Sequence, residues 1–168
     1  MKRVILESPY GSKTDIEIAE SERYGRDAPE TESKRLSRVK RNEQYARFCL
    51  RDCLLRGEAP IASHLLYTQP GVLDDSVPEE RKLRIEAGLV WGALAELTVA
   101  YLDLGISEGM KQGIERAEKE GRPIEYRYLP YAQKCTCQNY FTHQALDCHL
   151  HTEYPRHFFG DLELPCSC

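Results

Sequence analysis

The stretch LTVAYLDLGISEGMKQGIERAEKEGRPIEYRYL, residues 97–129, decides the fold. Its first part, Leu97 to Leu102, is largely apolar, with Thr98 and Val99 β-branched near its centre, which is the composition of a buried strand. Asp103-Leu104-Gly105-Ile106 then breaks the run. Ser107 is placed to cap a helix, and Glu108 suits the positive end of its dipole. The helix runs to about Glu120, Gly121 ends it, and residues 123–129 (PIEYRYL) read as the next strand. Strand, helix, strand is a crossover unit, and such units build parallel sheets with right-handed connections.

Working outward, the same alternation recurs upstream. Lys2 to Leu6 (KRVIL) reads as a first buried strand, stopped by Ser8-Pro9-Tyr10-Gly11. From Glu30 to Arg56, Leu36, Val39, Ala46, Cys49, Leu50, Cys53 and Leu54 recur at helical spacing, with Pro29 tolerated at the entry and Gly57 as terminator. Cys49 and Cys53 read as small core residues of that helix. Residues 59–66 (APIASHLL) read as the second strand. Ser76 and Glu79 have capping-box spacing before a helix from about Pro78 to Ala95, whose apolar stripe is Leu83, Ala87, Val90, Trp91 and Leu94, widened by Ile85 and Leu89. Residues 12–41 are highly charged and read as an insertion holding a short helix near 15–22. The expected fold is therefore α/β: a three-layer α/β/α arrangement with a mainly parallel sheet of four or five strands, flavodoxin-like or Rossmann-like.

Bulk properties set limits. The chain has 168 residues, 41% hydrophobic and 30% charged, which is globular composition. The net charge of -4 offers no basic footprint for nucleic acid. Apolar runs fall short of the ~20 residues of a membrane span, and the N-terminal apolar run is too short for a signal peptide, so a cytoplasmic protein is expected. The domain is expected over residues 1–129, followed by a Cys/His-rich tail over 130–168. In that tail Cys135, Cys137, Cys148, His149, His151, His157, Cys166 and Cys168 could hold zinc, although CxC is tighter than the usual ligand spacing; the alternative is a poorly ordered extension. No cofactor is expected.

Three segments stand together: ILESPYG at the first strand end, GEAPIASHLLYTQPGVLDD, and GISEGMKQGIERAEKEGRPIEY. In combination they resemble a phage- and actinobacteria-associated group of uncharacterised proteins that looks related to the nucleoside 2-deoxyribosyltransferase-like superfamily. The resemblance covers about residues 2–129 and implies a nucleoside or nucleotide ligand. Those transferases carry a catalytic glutamate in the first turns of a helix that begins near a glycine and ends in Ala, a Gly and a basic residue before the next strand. The matching frame here is Gly109, Met110, Ala117, Gly121 and Arg122, and the glutamate's register falls on Gly113. Glu115, two positions on, is rotated by about 200° and faces away. An acidic residue that precedes the family's glutamate falls on Ser107.

Several residues are candidates for a site where strands end and ligands bind in open α/β sheets. Ser8, Tyr10 and Gly11 end the first strand, where a hydroxyl and backbone amides can hold a phosphate or sugar. His64 and Tyr67 close the second and could stack on a base. Ser107, Gly109 and Met110 open the last helix, whose free amides suit an anion. Asp103, directly after the third strand, and Glu86, mid-helix beside Arg81 and Arg84, are candidate catalytic carboxylates; Asp103 equally reads as a turn residue and Glu86 as a surface ion-pair member. Glu7 either points into the crevice or merely ends its strand. Gly109 and Gly113 in one helix start suggest close packing or close ligand approach.

The leading expectation is a nucleoside- or nucleotide-binding protein with weak N-glycosidic chemistry at most. The alternatives are an active N-glycosyl transferase or hydrolase using a relocated carboxylate, and a non-enzymatic protein-interaction factor. The expected partner is a small nucleoside or nucleotide, not a membrane or nucleic acid; homo-oligomerisation stays open.

Overall fold

The computed structural model describes residues 1–24 and 30–130. The chain divides into two units, residues 1–127 and 128–168; the zinc and extension readings of the tail lie outside the described residues. The first unit runs β1 (Lys2–Glu7), α1 (Asp15–Arg23), α2 (Glu32–Leu55), β2 (Glu58–Ile61), α3 (Ser63–Leu66), α4 (Pro78–Gly92), β3 (Leu97–Tyr101), α5 (Glu108–Lys119) and β4 (Ile124–Arg127). The four strands form one sheet in the order β2-β1-β3-β4, and every pairing is parallel. This is the expected three-layer α/β fold, with four strands.

β3 is central and buried along its whole length, as its apolar composition requires. Alternation along β1 sends Val4 and Leu6, both almost fully buried, to one face and Ile5 and Glu7 to the other. α2 covers the first face. Its Tyr45, Ala46, Cys49 and Cys53 are fully buried, and the Cys53 thiol lies 3.4 Å from the Tyr101 hydroxyl. α5 packs on β1, β3 and β4 across the second face, where Met110 and Ile114 meet Ala100. Beneath α2, Arg127 of β4 holds Glu58 of β2 through two bonds of 2.7 Å.

Several local expectations are corrected. Residues 59–66 are not one strand: β2 ends at Ile61, and the amides of Leu65 and Leu66 bond back to the Ala62 carbonyl, both at 3.0 Å, opening α3. A short apolar run does not distinguish a buried strand from a buried helical turn. α4 ends at Gly92, not near Ala95, and Ser76 does not cap it. The Ser76 hydroxyl donates instead to Asp74 Oδ1 at 2.6 Å, and Val77 stands at the N-cap. The apolar stripe of α4 faces outward: Leu83, Val90, Trp91 and Leu94 are exposed, Val90 by 70%. The packed side is Arg84, Ile85, Gly88, Leu89 and Gly92. Two contacts turn the helix this way. Arg81 and Arg84 are drawn to Asp75 at 2.8 Å each, and the glycines allow close approach, since a Cβ on Gly88 would stand 2.6 Å from Ser63 Oγ. On α2 likewise Leu36 and Leu54 are exposed, while Arg38 and Asn42 are buried.

Candidate functional site

The charged segment ahead of β2 does more than meet solvent. Thr14 caps α1 with a reciprocal Glu17 capping box, and Asp15 joins Ile106 through both backbone and side chain, at 3.0 and 2.8 Å. A short antiparallel bridge pairs Thr14 with Ser107. These contacts fix the loop that leads into α5. From the other side, Arg38 Nη2 donates to the Gly11 carbonyl at 3.0 Å and Asn42 Nδ2 to the Tyr10 carbonyl at 2.6 Å. The turn after β1 is thus held by buried polar side chains of α2.

A cleft opens between this turn, α3, α4 and the start of α5, at the carboxyl ends of β1 and β2. Ser8, Tyr10, Gly11, His64, Ser107, Gly109 and Met110 all line it. His64 reaches it from α3 rather than from a strand end, and its Nε2 lies 2.8 Å from Ser8 Oγ. Burial, aided by the nearby Arg84 charge, pushes the imidazole down to about 3, so it is neutral at physiological pH. The Tyr10 ring packs near His64, centroids 6.1 Å apart, with the Arg84 guanidinium 5.9 Å from the Tyr10 ring centre. Ser107 occupies the N-cap of α5 and is 4% exposed, yet its hydroxyl makes no capping bond. No Cβ neighbour stands within 4 Å of Gly109, so the first turn of the helix is open toward the cleft.

Three sequence candidates stand elsewhere. The Tyr67 hydroxyl accepts the Trp91 indole N–H at 2.7 Å and does not line the cleft. Asp103 lies toward α2, accepting the Tyr45 hydroxyl at 2.7 Å. Glu86 is exposed on α4 with Lys82 at 3.8 Å rather than Arg81 or Arg84.

Other side chains join the cleft: Arg81, Arg84, Arg122 and Glu7. Arg122 donates to Thr98 Oγ1 at 2.8 Å and is also tied to the Gly92 carbonyl and to Glu120. Glu7 is enclosed by protein on nearly every side but keeps part of its surface open to the cleft. Burial pushes its carboxyl up to about 8, against the opposing charges of Arg84 and Arg122. The sequence signal for Glu7 was an ionisable residue sharing a buried strand face with Ile5. For the arginines it was the i, i+4 glycines of α4, which mark a face pressed against something. Among the described residues no group of three or more His, Cys, Asp or Glu could hold a metal.

A parallel α/β sheet with a polar cleft at the carboxyl ends of its strands defines the class of protein. A family model described as a domain of unknown function (DUF7768) matches residues 30–127, and the chain belongs to that family. The match begins within the charged segment 12–41, so β1 with Glu7, Ser8 and Tyr10 precedes it. No curated protein and no solved structure matches the chain. Among the described residues no helix is long and apolar enough to cross a membrane.

Proposed function

We infer that the cleft binds a nucleoside or nucleotide, with the phosphate or sugar at the start of α5. The observation that carries this reading is the buried Ser107 hydroxyl. It has no hydrogen-bond partner among the described residues, and it stands beside the first amides of α5 in the same cleft as the Ser8–His64 pair. Helix-terminal amides and hydroxyls are the groups that hold phosphate oxygens. Tyr10 and neutral His64 supply flat surfaces for a base. The resemblance to deoxyribosyltransferase-like proteins points to the same ligand class.

Base exchange would have to rest on Glu7, the acidic residue that lines the cleft, and burial holds its carboxyl protonated and so poorly nucleophilic. Gly113 supplies no carboxylate, and Asp103 and Glu86 lie outside the cleft. Losing a covalent nucleophile removes most of the rate, while positioning groups keep their binding role. Calorimetric titration with 2′-deoxyadenosine, its 5′-monophosphate and inorganic phosphate tests the reading, alongside chromatography for base exchange between deoxynucleosides. The expected result is binding, tightest for the monophosphate, with negligible exchange. Absence of binding by all three ligands, or robust exchange, overturns it.

A further inference from the structure

The reading above leaves Glu7 unused. Its carboxyl makes no hydrogen bond with another described residue. The charged groups acting on it are Arg84 from α4 and Arg122 from the turn after α5. Both are already committed, Arg84 to Asp75 at 2.8 Å and Arg122 to Glu120 at 2.6 Å. α3 presents the neutral imidazole of His64. From α5 the residue directly against the carboxyl is Gly113, which has no side chain.

That glycine fits the carboxyl closely. A Cβ at position 113 would stand 2.1 Å from Glu7 Oε1 and 2.5 Å from its Cδ, so any other residue would have to push the Glu7 side chain out of this place. Glycine inside a helix costs about 1 kcal/mol relative to alanine. The helix therefore carries a destabilising residue at the position where Glu7 is seated, and the seat holds the carboxyl at the cleft wall instead of releasing it to solvent.

Charge in the cleft depends on this one proton. The cations are Arg81, Arg84 and Arg122, and their partner carboxylates are Asp75 and Glu120. Asp75 is shared by Arg81 and Arg84, and Glu120 by Arg122 and Arg116, so the cleft keeps an excess of positive charge while Glu7 is neutral and loses one unit of it once Glu7 ionises. A neutral carboxyl is also a hydrogen-bond donor, whereas a carboxylate only accepts.

We propose that Glu7, seated against Gly113 at the cleft wall, is a ligand-contacting residue whose carboxyl hydrogen-bonds the phosphate group bound in the cleft, and that Gly113 is glycine in order to seat it. The proposal rests on the nucleotide reading and adds the group that sets the charge state in which the cleft accepts an anion. Ionised, Glu7 would confront a bound phosphate as a like charge in a poorly solvated space, so ionisation and phosphate binding exclude each other.

The test is the affinity of the full chain for 2′-deoxyadenosine 5′-monophosphate as a function of pH. A phosphate monoester has its second pKa near 6 and is about nine-tenths dianionic by pH 7, so a many-fold change above neutrality belongs to the protein. With Glu7 titrating at about 8, affinity falls about thirtyfold between about pH 7 and about pH 9.5. 2′-Deoxyadenosine shows no decline. In Glu7→Gln, whose amide donates but cannot ionise, the same interval changes affinity by less than about threefold. A flat wild-type profile overturns the proposal while leaving the nucleotide reading in place. An equally steep profile in the Gln variant, or in 2′-deoxyadenosine binding, also overturns it. Silence of all three ligands at every pH overturns the nucleotide reading and this proposal with it. The wild-type profile needs no variant, so it decides the matter even where Glu7→Gln fails to fold.

Discussion

Replacing Glu7 by glutamine should stabilise this protein at neutral pH, by an amount that depends on pH in a way no surface substitution would reproduce. In the fold the carboxyl titrates at about 8, against an ordinary value of 4.5 once unfolded. Between those values the folded state holds one more proton than the unfolded state, so stability falls as pH rises, by about 1.4 kcal/mol per pH unit. The accumulated penalty is about 3 kcal/mol at pH 7 and levels off near 5 kcal/mol above pH 8. That is a large share of a typical domain's stability. Glutamine keeps the shape and drops the titration. Urea unfolding of both chains, followed by circular dichroism from about pH 4.5 to about pH 9, measures the difference. The variant's advantage should grow through the interval and then become constant. An advantage that does not change with pH would mean that Glu7 ionises normally in the fold, and the reasoning would fail.

Gly113→Ala should destabilise the fold by about 1–3 kcal/mol through overpacking against Glu7, and combination with Glu7→Ala should recover most of that loss in a double-mutant cycle. His64 has the opposite linkage to Glu7: its folded value is pushed down to about 3 from 6.5, so stability is lost as pH falls below 6.5. His64→Asn should remove a loss of about 2 kcal/mol at pH 5, read from the same denaturant melts. Arg127→Met should cost about 3 kcal/mol at neutral pH by leaving Glu58 buried without its two 2.7 Å bonds. Arg127 holds the folded Glu58 carboxyl below its ordinary 4.5, so its contribution is present above that pH and lost as pH falls through the folded value. Wild type and Arg127→Met should therefore converge in acid, as thermal melts would show.

The parallel sheet was legible because β1, β3 and β4 are apolar or mixed runs separated by whole helices. Crossover handedness limits the possible strand orders without choosing among them, and the order β2-β1-β3-β4 came from the structure. The two helix faces were less legible. Periodicity marks the apolar side of a helix, but α4 is turned by the Asp75 ion pairs and by Gly88 and Gly92, which carry no hydrophobic signal. Turn chemistry drew attention to Ser8, Tyr10, Gly11, Ser107 and Gly109 correctly as neighbours, because strand ends in a parallel sheet share one edge. His64 joined them by a different route, through α3. Asp103 and Tyr67 follow strand-end logic equally well, yet both are engaged by hydrogen bonds outside the cleft. Which way a loop side chain turns is decided by partners far away in sequence, such as Tyr45 and Trp91, and no local pattern encodes them.

The position of β1 in the middle of the sheet has a consequence for how the protein is made. This strand leaves the ribosome before both of its neighbours, and Gly113 emerges later still, so Glu7 begins its existence in water as an ordinary acid. Only when α5 docks does the carboxyl enter its seat. Near neutral pH a carboxyl that titrates at about 8 must then capture a proton from solution. Docking of α5 is in this sense a protonation event, and a nascent chain halted before α5 would carry one more negative charge at this position than the folded unit.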